Sequence, residues 1–92
     1  MYRIIDKRGT GKTSRLLLLA KENNGCIVCR NPESMQYKAD RYGIIGVDIY
    51  SYNDLAFGKI KTQHQPIYID EIEMYLYYLN ENIQGYTLTN ED

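Results

Sequence analysis

Gly9, Thr10, Gly11, Lys12, Thr13 and Ser14 stand together between the apolar run Tyr2-Arg3-Ile4-Ile5 and the leucine-rich run Leu16-Leu17-Leu18-Leu19-Ala20. A glycine-bearing turn that leaves a strand and enters a helix presents backbone N–H groups and a helix N-terminus to one anion, and together they can cradle a polyphosphate. Lys12 is spaced to reach β- and γ-phosphate oxygens, and the Thr13 hydroxyl to hold Mg²⁺. Further along, Pro66-Ile67-Tyr68-Ile69-Asp70-Glu71 is an apolar strand ending in two adjacent acids. Asp70 would complete the Mg²⁺ shell opposite Thr13, and Glu71 would orient or deprotonate an attacking water. The same two acids also suit the cap and first turn of a following helix, where negative charge favours the dipole. Both roles can hold at once, since an acid at a strand tip also stands at a helix start.

These residues need a scaffold that brings position 12 to position 70, and the pattern supplies one. A strand is expected over Tyr2–Ile5, then a helix over Lys12–Glu22 with Thr13, Leu16, Leu17 and Ala20 on one face, ended by Asn23-Asn24-Gly25. Cys26–Cys29 reads as a buried strand. Asn31 caps a helix with Pro32 in its first position, Gly43 beyond its end, and Met35, Ala39 and Tyr42 on its inward face. Val47–Tyr50 is the next strand, and Ser51-Tyr52-Asn53-Asp54 has capping-box spacing ahead of a short helix through Phe57, stopped by Gly58. Lys59–Gln65 is polar loop. After the acid-tipped strand, Ile72, Tyr75, Leu76 and Leu79 recur at helical spacing, and Gln84–Thr89 is the last strand. Strands alternating with helices imply an α/β fold: a mainly parallel five-stranded sheet, helices on both faces, and ligands at the carboxyl ends of the strands.

Ninety-two residues suit one compact domain spanning 1–92, with a small core. A composition of 43% hydrophobic and 25% charged residues argues against disorder. No apolar run is long enough for a membrane span, and no signal region follows Met1, so a cytoplasmic location is expected. Charge is unevenly spread. All eleven Lys and Arg fall between positions 3 and 61, and six of the twelve acids fall after 61, so the first 61 residues sum to +5 and the last 31 to −6. That asymmetry fits a phosphate-facing end opposed to an acidic one. Cys26 and Cys29 form a CxxC string, but residues three apart on a strand face opposite ways, and His64 is the only histidine. A core role is expected for both cysteines.

With these pieces in place, the whole chain resembles a compressed P-loop nucleoside triphosphatase domain. It is similar to the RecA-like, additional-strand, catalytic-glutamate division and, in motif order, to the first motor domain of helicases and translocases. The Walker A element corresponds to Gly9–Ser14 and the Walker B element to Pro66–Glu71. The resemblance implies ATP, or GTP, with Mg²⁺ as ligands, and Thr89 or Asn90 as a γ-phosphate sensor. It also implies that Arg30-Asn31-Pro32 and Ser51-Tyr52 stand where such domains touch a nucleic-acid backbone. Asp6 departs from the pattern by replacing its first glycine, which adds negative charge beside the phosphates. The second RecA-like domain that supplies an arginine finger is also missing from this pattern.

Two functional classes follow. One is a Mg-nucleotide-binding domain, a weak ATPase or switch that works with a protein partner or as a homo-oligomer. The other is a non-enzymatic interaction protein on a degenerate P-loop scaffold, such as an inhibitor encoded by a virus or phage or another mobile element. Its contact surface could be built from the ten tyrosines, unless these fill the core and its margins. A nucleoside kinase fits less well, because no lid or substrate-binding segment follows.

Overall fold

The computed structural model describes residues 11–60 and 65–87. The helix α1 spans Lys12–Glu22 and the strand β1 spans Cys26–Cys29, followed by helix α2 over Pro32–Arg41 and strand β2 over Asp48–Ser51. The short helix α3 covers Tyr52–Ala56, strand β3 Ile67–Ile69 and helix α4 Ile72–Leu79. The three strands form one parallel sheet in the order β2-β1-β3. Cys26 is level with Asp48 on one side and Ile67 on the other, so all three strands run to the same end.

β1 is the centre of the molecule. Each of its four residues is at most 2% exposed, which is what an unbroken apolar run in a parallel sheet requires. Ile27 and Cys29 on one face join Leu17 and Ala20 of α1, Met35 and Ala39 of α2, and Ile44 in a single cluster. Cys26 and Cys29 are both free thiols buried in this strand.

The helices begin and end where local chemistry directs. Asn31 Oδ1 accepts from the Ser34 N–H at 3.2 Å, and Pro32 opens α2. Ser51 and Asp54 complete a reciprocal capping box at the start of α3. Gly25 could not be another residue without disturbance. A Cβ there would lie 2.7 Å from both the Pro66 carbonyl oxygen and the Tyr68 ring, so β1 and β3 can approach only with a hydrogen at this position.

The structure departs from the expected pattern in four places. Tyr42 is 52% exposed, because α2 ends at Arg41 and the chain reverses through Gly43 at φ +71°, which places Ile44 in the core instead. The strand expected over Val47–Tyr50 is shifted by one residue, following the turn at Gly46 with φ +85°. In α4 no residue is buried, and Ile72 and Leu79 are exposed, because its packing within the described residues is against α3. Gln84–Thr87 is irregular rather than the start of a strand. Tyr2–Ile5, Leu88 and Thr89 lie outside the described residues, so three strands of the expected five are observed. Among the described residues no helix is long and apolar enough to cross a membrane.

Candidate nucleotide site

The parallel sheet directs its strand tips, and the α1 start, toward one region. Gly11 is the N-cap of α1 in the left-handed region, φ +79° and ψ 19°. A side chain there would be strained, and its Cβ would meet Ser14 Oγ at 3.4 Å. Among the described residues no side chain caps the N-terminus of α1 and no acid lies in its first turn, so its positive end receives no anion from that turn. The Ser14 hydroxyl donates to the Gly11 carbonyl at 2.8 Å, which turns it onto the helix backbone. Gly9 and Thr10 lie outside the described residues, as do Asp6, His64, Thr89 and Asn90.

Asp70 stands at the carboxyl end of β3, with its backbone N–H bonded to the Val28 carbonyl at 2.9 Å. Burial pushes its carboxyl above the ordinary range, and the charges of Glu71 and Glu73 push it the same way. The Lys38 and Lys12 ammonium groups pull it down, so Lys12 at the start of α1 acts on Asp70 across the site. A half-buried carboxylate beside two further acids is one that a cation would stabilise. An anion on the Lys12 side would meet an ammonium and an uncapped helix start. Among the described residues no group of three His, Cys, Asp or Glu side chains converges on a metal position.

Glu71 is the N-cap of α4 and has φ +53°, ψ 65°, a left-handed backbone that glutamate seldom adopts. It offers no side-chain bond to the helix, so the role of a capping acid does not describe it. Its carboxylate stays exposed. Beneath it, the Tyr52 hydroxyl donates to the carbonyls of Asp70 at 2.7 Å and Glu71 at 3.1 Å. Tyr52 is 4% exposed, and burial followed by the nearby acids raises its phenol well above the ordinary range. It is therefore turned inward, and its ring is not presented to a nucleic-acid backbone.

Lys12 acts on Asp70 at one end of the sheet, with Gly11 and Thr13 adjoining Lys12 and Glu71 adjoining Asp70 in the chain, and two residues that the sequence did not single out for this site join them. Lys38, on α2, acts on both Asp70 and Cys29. Its position just before the buried Ala39 carries no signal of that kind. Tyr52 was legible as the second residue of a capping box and, through the resemblance, as a nucleic-acid contact, but not as a support for this turn. Cys29 borders the same region: its Sγ donates to the Tyr50 carbonyl at 3.7 Å, and burial, reinforced by Asp70, pushes its thiol up to about 11. A separate polar cleft lined by Lys21, Asn24, Gly46 and Gln65 lies at the opposite, amino-terminal end of the strands. Comparison with protein-family models, with curated proteins and with solved structures finds no match to this chain.

Proposed function

We propose that the chain is a minimal Mg-nucleotide-binding domain of the P-loop type, taking ATP or GTP, and that it acts as a weak triphosphatase or nucleotide-dependent switch together with a partner or a second copy. The observation that carries this reading is the electrostatic interaction of Lys12, on a helix start with no acid in its first turn and no cap among the described residues, with Asp70 at the tip of a parallel strand. Lys12 holds the β/γ-phosphate side, Gly11 leaves the backbone donors open, and Thr13 and Asp70 face the cation side. Mg²⁺, when bound, neutralises charge that develops on the phosphate oxygens. Glu71 orients the attacking water. Nothing in the described part of the site places an arginine on the far side of the γ-phosphate, a group worth about 10³ to 10⁵ in rate, so turnover by the single chain is slow.

The test is a titration of the whole chain with ATP and GTP, with and without Mg²⁺, read by thermal unfolding and calorimetry. A ligand at about 100 times its Kd stabilises the native state by about 2.7 kcal/mol. Lys12→Ala removes that stabilisation while leaving the ligand-free melting temperature nearly unchanged. No shift at millimolar nucleotide under any condition overturns the reading.

A second reading, an interaction protein that retains the scaffold without the chemistry, is favoured by one observation. Among the described tyrosines only Tyr52 is buried, and Tyr37, Tyr42, Tyr77, Tyr78 and Tyr86 are exposed. Core filling therefore does not account for them, and exposed tyrosine suits a protein contact.

A further inference from the structure

We propose that Tyr52 is a positioning residue for Glu71: its hydroxyl fixes the two carbonyls that shape the left-handed turn on which the acid stands. The proposal rests on the nucleotide-site reading for the role of Glu71, but the geometry it invokes is independent of any ligand. A glutamate at φ +53° persists only where surrounding contacts hold it, since an extended or right-handed backbone is otherwise favoured. The contacts here are specific. One phenolic hydrogen is shared between the Asp70 carbonyl at 2.7 Å and the Glu71 carbonyl at 3.1 Å, and these oxygens flank the Asp70–Glu71 peptide unit and its successor.

The ring is held as firmly as the hydroxyl. It packs edge-on against Tyr75 of α4 at 5.3 Å between centroids and lies tilted to Tyr78 at 6.0 Å. The Tyr78 hydroxyl bonds to Asn53 Oδ1 at 2.8 Å, and the Ser51–Asp54 capping box fixes the backbone from which Tyr52 departs. The end of β2 and the acidic turn after β3 are not hydrogen-bonded sheet neighbours, because β1 lies between those strands. Tyr52 spans that gap from beneath. Rotation of the Asp70–Glu71 peptide toward the extended region would redirect the Glu71 side chain, and a misplacement of about 1 Å can cost on the order of 10²-fold in rate.

The experiment compares wild type, Tyr52→Phe and Tyr78→Phe as whole chains. Backbone carbon shifts and the amide coupling of Glu71 report whether its φ is positive, and steady-state kinetics with Mg-ATP report kcat and KM separately. In wild type Glu71 shows the left-handed signature. Tyr52→Phe, which keeps the ring, loses that signature and lowers kcat about tenfold or more, with KM within about twofold. Tyr78→Phe, which keeps the ring contact with Tyr52 and removes only the bond to Asn53, changes both readouts less than Tyr52→Phe does. The proposal is overturned if wild-type Glu71 lacks the signature, if it persists in Tyr52→Phe, or if kcat and KM shift together in proportion to lost stability. If wild type neither binds nor turns over nucleotide, the proposed function fails, while the Glu71 signature alone still decides whether Tyr52 holds the turn.

Discussion

Replacing Glu71 with glycine sets the stability of this turn directly against its use. The left-handed backbone costs a residue with a Cβ roughly 1 to 2 kcal/mol, and glycine adopts it freely. Glycine gives back roughly 0.5 to 1 kcal/mol in the entropy of the unfolded chain. Nothing else is lost locally, because Glu71 makes no side-chain cap to α4. Removing its charge also relieves Asp70, whose carboxyl is held up by burial first and by Glu71 second. The net expectation is a gain of about 0.5 to 1 kcal/mol, or about 2 to 8 °C in Tm for a domain of this size. Glu71→Ala is the control, since it removes the same charge but retains the Cβ. Thermal unfolding by circular dichroism without ligand should rank Glu71→Gly above Glu71→Ala, and both variants should lose nucleotide hydrolysis. A glycine variant no more stable than the alanine variant would refute the argument that this backbone is strained.

Three further outcomes follow from contacts already described. Gly25→Ala forces a Cβ against the Pro66 carbonyl and the Tyr68 ring, and overpacking of this kind should cost about 1 to 3 kcal/mol in urea unfolding; a change below about 0.5 kcal/mol would mean that β3 yields without cost. Asp70→Asn should raise the ligand-free Tm and weaken Mg-nucleotide binding. In wild type the folded carboxyl holds its proton more tightly than the unfolded chain does, so ligand-free stability should rise as pH falls through the Asp70 range, and Asp70→Asn should flatten that slope. Cys29, with its thiol raised to about 11, keeps its proton longer when folded, so stability should fall as pH rises from about 9 to 11; Cys29→Ala should lessen that fall, to which the raised Cys26 thiol also contributes, and iodoacetamide should label native Cys29 far more slowly than unfolded chain.

The parts of this fold that could be read from the sequence are those set by neighbours in the chain. The ends of α1, the Asn31-Pro32 start of α2 and the Ser51–Asp54 box depend on bonds spanning three or four residues, and each is found where the pattern puts it. Cys26–Cys29 was legible as a buried strand because an unbroken apolar run leaves no face for water. Strand order was not legible, since nothing in the string CIVC states that it lies between Asp48–Ser51 and Ile67–Ile69. The α4 stripe was legible as a helix from its spacing, yet periodicity does not specify what lies opposite. In the candidate site, Lys12, Thr13, Asp70 and Glu71 were named from spacing. Lys38 and Tyr52 reach the site only through tertiary placement, and the left-handed backbone at Glu71 has no signature in a glutamate.

The order β2-β1-β3 also bears on how the molecule comes into being. β1, α2 and β2 form a contiguous parallel crossover unit that can close while the rest of the chain is still being made. β3 pairs with the other edge of β1 across about forty residues of intervening chain, the slower and costlier closure. On that ground the strand that leads to Asp70 is expected to be the last of the three to dock. Until it does, Lys12 has no carboxylate before it and Tyr52 has no turn to hold, so on the proposed function a nascent or partly unfolded chain would not engage nucleotide. Ligand binding would then report completion of the sheet, and a ligand present during synthesis or refolding would act on the final step of assembly and leave the crossover unit untouched.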